Sequence, residues 1–128
     1  MMKTLSVVAL GGALGSVCRF LFVSQAARLL QVVFPWGTLG VNITGSLLMG
    51  IAVAWFAARV SLPPEIQAFV CVGVLGGFTT FSAFSLEVVL LYERGLIAQA
   101  LLYTIASFAF SSGALMAGLI ITRRWVAA

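Results

Sequence analysis

The sequence predicts an all-α integral membrane protein with four transmembrane helices, and three observations carry that reading. Hydrophobic residues make up 62% of the 128 residues and charged residues only 8%, a balance outside the range of soluble globular domains. The few charges leave long neutral windows: Arg28 to Arg59 and Arg94 to Arg123 each enclose more than a full span, and Glu65 to Glu87 encloses one. A membrane helix needs about 20 apolar residues. No linker, low-complexity tract or soluble domain interrupts the pattern. The predicted helices cover roughly 4–27, 37–58, 65–92 and 96–122 of a single domain, 1–128.

The first helix follows Lys3, which resembles the start of a signal peptide. Its apolar segment is long and is interrupted by Arg19, and no small-residue cleavage site follows a short core, so no cleavable signal is expected. Gly11 and Gly15 form a GxxxG pair, a spacing that favours close packing between membrane helices. A charge at depth is costly and faces a wet cavity or a partner. Arg19 therefore either snorkels to the surface or draws anions into a vestibule.

The second helix is entered through Pro35-Trp36-Gly37. Asn42 sits one turn into it. Its amide either ties the bundle together or donates two hydrogen bonds to an anion. Gly45 and Ser46 permit close approach. The connection Arg59-Val60-Ser61-Leu62-Pro63-Pro64 leads to the third helix, with Pro64 near the N-terminus, where proline is tolerated.

The third helix carries the run Gly73-Val74-Leu75-Gly76-Gly77-Phe78-Thr79-Thr80-Phe81-Ser82-Ala83-Phe84-Ser85. Each glycine weakens a helix by about 1 kcal/mol relative to alanine, and the hydroxyls compete for backbone groups. Freed backbone in lipid must find a partner or line a wet cavity. The run therefore predicts a helix broken near its middle, at Gly76-Gly77, with Phe81 and Phe84 one turn apart beside the break. Either these rings pack in the core or they turn partly positive edges toward a small anion. Glu87 follows, either as a structural hydrogen-bonding group or as part of the path.

Tyr92-Glu93-Arg94-Gly95 reads as a tight turn into the fourth helix, where Tyr103, Ser107 and Ser111 recur every four residues. Each step of four drifts about 40°, so the three share one face. They either bond back to their own helix or offer an anion a row of neutral donors, with Thr104 and Ser112 alongside.

Composition also excludes function classes. The chain has no histidine and three carboxylates at distant positions, so no acid-base, hydrolytic or redox constellation is available and no enzyme is expected. Cys18 and Cys71 lie in spans and read as small buried residues. The arginines form no basic stripe, which argues for interfacial anchoring and against nucleic acid. An even number of spans puts both termini on one side, with Lys3, Arg59, Arg123 and Arg124 there, against Arg28 and Arg94 on the other. This weak bias places the termini in the cytoplasm, and it is also what a chain inserted in both orientations would show. Four spans are few for a transporter and suggest an oligomer.

Three blocks, Trp36-Gly37-Thr38-Leu39-Gly40-Val41-Asn42, Gly76 to Glu87, and Tyr103 with Ser107 and Ser111, make the chain resemble the bacterial fluoride channels of the Fluc (CrcB) family over essentially its whole length. The resemblance implies a passive fluoride channel that exports the ion from the cytoplasm across the inner (plasma) membrane. It implies an antiparallel, dual-topology homodimer with two pores. By that likeness Asn42, Phe81, Phe84, Tyr103, Ser107 and Ser111 line the fluoride pathway, with Arg19 near the vestibule and Glu87 after the motif. Backbone carbonyls of Gly76 and Thr79 from both chains would hold a structural sodium ion. One departure is Ala83, where relatives often carry a hydroxyl. The competing reading, a small multidrug-type proton antiporter, needs a carboxylate in the first span, and 4–27 contains none. A scaffold protein without a ligand would not need hydroxyls and glycines concentrated at the centre of one helix.

Overall fold

The computed structural model describes residues 1–59 and 62–128, so of the connection from 59 to 64 Val60 and Ser61 lie outside the described residues. Four apolar helices are each long enough to cross a membrane: α1 (Met2–Leu30), α2 (Trp36–Ala57), α3 (Pro64–Glu93) and α4 (Ile97–Ala127). No strand occurs among the described residues. α1 and α4 run past their predicted ends, because the charged and aromatic residues that close each hydropathic window remain helical as they emerge at the membrane surface.

Two turns show how local chemistry sets the boundaries. α1 ends at Gln31, whose left-handed backbone (φ 46°) gives its amide to the Ala27 carbonyl at 3.2 Å. The turn from α3 to α4 passes through Gly95 at φ 76°, a conformation glycine adopts without a Cβ clash. The amide of Gly95 closes on Tyr92 and that of Leu96 on Leu91, both at 2.9 Å.

α3 is not uniform. Pro64 sits in its first turn, as its missing amide allows. Ala68–Leu75 then winds as a π-helix, which nothing in the hydropathy of the segment signals. Gly76 itself is helical (φ −64°, ψ −38°). The extended residues are Thr79 (φ −81°, ψ 159°) and Thr80 (φ −153°, ψ 125°). The glycine pair that the sequence marks as the weak point thus stays wound, and the chain departs from helix three residues later. The physical reason is that Gly77 is held against α1: a Cβ there would come 2.7 Å from the Gly12 carbonyl oxygen.

α1 packs along the first part of α3 and α2 packs along α4. The second contact is just as close, since a Cβ on Gly118 would come 2.5 Å from the Leu47 carbonyl oxygen. Such backbone-to-backbone approach is how membrane helices gain dispersion energy without a hydrophobic drive. The buried centre contains Leu39, Val41, Leu91, Ala100 and Tyr103. Only 11% of the central windows of α1 and α4 is buried within the chain, so most of each faces lipid or another copy. At the end of the bundle that carries the termini, Trp55 stacks on Trp125 at 6.0 Å and Arg59 lies 4.4 Å over the Trp55 ring, an aromatic and cationic collar of the kind found at bilayer interfaces.

Candidate functional site: a hydroxyl-lined cleft beside the third span

Thr38 and Asn42 are four residues apart on α2 and therefore share the face turned toward α3. The Asn42 amide is spent on one residue of that helix. Its Oδ1 accepts from the Thr80 amide at 2.8 Å and its Nδ2 donates to the Thr80 carbonyl at 3.0 Å. In a continuous helix that amide would close on the carbonyl of Gly76. Asn42 thus holds the extended peptide and replaces the hydrogen bond it gives up. The second Nδ2 hydrogen remains for another acceptor.

Thr80 in turn starts the second half of α3. Its Oγ1 accepts the Ala83 amide at 3.2 Å, a threonine N-cap that satisfies one of the free amides of the new helix. The half-helix that follows carries Phe81, Phe84 and Glu87 at spacings of three. The Phe81 and Phe84 rings lie 5.6 Å apart at 48°, and Phe84 lies 5.2 Å from the Tyr103 ring. Phe81 is 78% exposed on the single chain and projects outward from the bundle.

Glu87 accepts from two hydroxyls at once. Thr38 Oγ1 donates to Oε1 at 2.7 Å and Tyr103 OH donates to Oε2 at 2.6 Å. Tyr103 is fully buried. Below it on α4, the hydroxyls of Ser107 and Ser111 are buried without a hydrogen-bond partner among the described residues. They do not bond back to their own helix, unlike Thr104, whose Oγ1 donates to the Ala100 carbonyl at 2.8 Å. Native chains rarely bury polar groups unsatisfied, so two such hydroxyls in a row mark a place for an acceptor.

They open onto a cleft of about 620 Å³. Asn42, Phe81, Phe84, Ser107 and Ser111 all line it. Tyr103 and Glu87 do not line it; Tyr103 adjoins it through its contact with the Phe84 ring. Arg19 stands apart, on the α1 side of α3, where its Nη1 donates to the Thr79 carbonyl at 3.2 Å. Thr38, the bridge between Asn42's face and Glu87, is a site residue that sequence reasoning passed over, although its i, i+4 spacing to Asn42 was the available signal. Ser46 and Ser112 also line the cleft.

No cluster of three or more histidine, cysteine or acidic side chains suited to a metal occurs among the described residues. The oxygens at the Thr79-Thr80 step are neutral carbonyls. The Gly76 carbonyl has lost its helical amide to Asn42, and the Thr79 carbonyl belongs to an extended residue. Neutral carbonyls suit a hard monovalent cation. One chain presents two such carbonyls, too few by themselves to coordinate an ion. The Arg19 guanidinium already occupies one lone pair of Thr79.

The chain matches the family described as CrcB-like protein, Camphor Resistance (CrcB), over residues 6–119. It is 53% identical over 116 residues to the fluoride-specific ion channel FluC 1 of Nitrobacter hamburgensis, covering 91% of this chain and 92% of the relative. It is 51% identical over 127 residues to the fluoride-specific ion channel FluC of Rhodospirillum centenum, covering 98% and 100% of the two chains. A third relative of the same name, from a Caulobacter species, is 52% identical over 124 residues, covering 96% and 97%.

Proposed function

The chain belongs to the CrcB-like family, a family of channels and not of enzymes, and from that premise we propose that it is a passive, fluoride-selective channel. The observation that carries this reading is the pair of partnerless hydroxyls, Ser107 and Ser111, lining the same cleft as Phe81 and Phe84. Fluoride is small and strongly hydrated. A path for it must replace water with several donors, none strong enough to hold the ion. Two hydroxyls, the spare Asn42 hydrogen and the ring edges of Phe81 and Phe84 form such a set, and none carries a charge. Larger halides shed their water more cheaply, so preference for fluoride rests on a path too narrow for their radii.

The working unit is an antiparallel pair of chains inserted in both orientations, with the broken third helices crossing at the centre and one path on each side. The outward-facing Phe81 and the incomplete lining of the cleft on the single chain support a second copy completing it. A sodium ion, when bound between the Gly76 and Thr79 carbonyls of both chains, supplies the positive charge that lets converging carbonyl dipoles approach one another. Down its gradient the channel exports fluoride from the cytoplasm of a bacterial cell, through the inner membrane. α1 contains only Lys3, Arg19 and Arg28 as charged side chains, so it offers no carboxylate to couple protons to export.

Purified protein in liposomes loaded with fluoride is expected to dissipate the gradient electrically, with chloride retained. Equal passage of chloride would end the reading. Replacing all sodium by a large organic cation is expected to slow the flux and add-back to restore it. Unchanged flux would remove the central ion while leaving the channel standing.

A further inference from the structure

The row of polar side chains on α4 does not begin at Tyr103. Gln99 lies four residues before it, so Gln99, Tyr103, Ser107 and Ser111 continue one face at steps of four. Gln99 also shares the feature that marks the two serines: its Oε1 is buried without a hydrogen-bond partner among the described residues. Three of these four residues thus keep a polar atom unpaired, and the fourth, Tyr103, gives its hydroxyl to Glu87. A half-turn about the last side-chain bond exchanges the oxygen and nitrogen of a glutamine amide with almost no change of shape. The partly buried Gln99, which lines a groove, can therefore offer amide N–H donors to an anion there.

Gln99 lies in the first turn of α4, at the end of the bundle away from the termini. It lines an open groove of about 540 Å³, together with Gln31, Phe34, Trp36 and Leu102. The Phe34 ring, which lines this groove, is set edge-on to Tyr103 at 5.5 Å. The loop 32–36 that carries Phe34 also walls a smaller cavity of about 130 Å³ that reaches Thr38 and Glu87. Phe34 thus stands between the groove that Gln99 lines and Tyr103, the first hydroxyl of the row.

We propose that Gln99 is the entrance site of the anion path on this side of the membrane, its amide binding fluoride that still keeps part of its hydration before the ion passes Phe34 to Tyr103. The proposal rests on the channel reading, and the test separates the two. Parent protein, Gln99→Met and Gln99→Glu are reconstituted in liposomes, and fluoride efflux is followed with a fluoride electrode as the loaded concentration is varied. Methionine keeps the length of glutamine and removes its hydrogen bonds; glutamate keeps the shape and adds a repelling charge. The expected result is a roughly tenfold fall in rate at low fluoride for Gln99→Met, the factor for loss of one hydrogen bond to a charged group, and a larger fall for Gln99→Glu. Both should return toward the parent rate at high fluoride, a shift of half-saturation that a merely structural role would not give. Unchanged half-saturation in both variants overturns the proposal, and a parent without fluoride flux overturns the channel reading instead. Should either variant fail to assemble, Gln99→Cys in a Cys18→Ala, Cys71→Ala background is treated with an anionic methanethiosulfonate. Reaction and slowed flux are expected; a thiol that does not react, or full flux after complete reaction, overturns the proposal.

Discussion

At the scale of residues, the site is organised by side chains that hold backbone as much as by those that face the cleft. Asn42 is the main case. Sequence reasoning left it between a tie across helices and a donor to an anion, and the structure shows the tie, to both polar atoms of Thr80. Asn42→Asp would keep the size but lose the donor to the Thr80 carbonyl and turn a negative charge toward the cleft. An unmet buried acceptor costs about 1–3 kcal/mol, enough to disturb the N-cap at Thr80 and the two phenylalanines that follow it. The expected outcome is at least a tenfold loss of fluoride flux, with the oligomer still intact by size-exclusion chromatography; full flux in this variant would make the Thr80 clamp dispensable. The residue types of the candidate path were legible because neutral polar groups are rare in spans. Their partners were not. Thr38, Glu87 and Tyr103 meet across 65 positions of sequence, and spacing reveals which face a residue occupies but not what lies opposite it.

At the scale of elements, hydropathy alone located the four spans, because lipid demands a long apolar run whatever the packing. It could not locate the π-helical turns of Ala68–Leu75 or the extended Thr79-Thr80 step, since both depend on contacts with α1 and α2. Gly76-Gly77 was read as a helix break, and Gly11, Gly15 and Gly45 as residues that permit close approach. In the structure glycine works mainly as a clearance that lets helices touch. Two substitutions on α4 separate these roles. A methyl at Gly118 would meet the Leu47 carbonyl oxygen at 2.5 Å, whereas at Gly113 nothing lies within 4 Å. Gly118→Ala should therefore destabilise the bundle by about 1–3 kcal/mol, the cost of overpacking. Gly113→Ala should stabilise it by about 0.5–1 kcal/mol through helix propensity. Thermal unfolding in detergent, followed by tryptophan fluorescence, measures both. A loss of stability at Gly113 instead would place a second chain against that face.

At the scale of the whole molecule, one chain is visibly incomplete. Phe81 is 78% exposed, the cleft is open along one side, and the two carbonyls suited to a cation are too few to hold one. The proposed second copy would meet all three, and the antiparallel orientation proposed for it is compatible with the charge pattern. Lys3, Arg59, Arg123 and Arg124 lie at one end of the bundle and Arg28 and Arg94 at the other, four against two, too small a bias to fix insertion firmly. The proposed antiparallel pair would close on itself by a two-fold axis in the membrane plane, so that each path would receive the same residues from opposite directions. Adding two arginines to the loop 31–35 and the turn 94–96 should hold that end in the cytoplasm. Adding them at the termini should hold the opposite orientation. Each biased variant expressed alone is expected to lose fluoride efflux, because only parallel partners are present. Expressing the two together should restore it. Full efflux from either variant alone would show that chains of one orientation suffice, and the carbonyls of Gly76 and Thr79 would then have no symmetric partner across the centre.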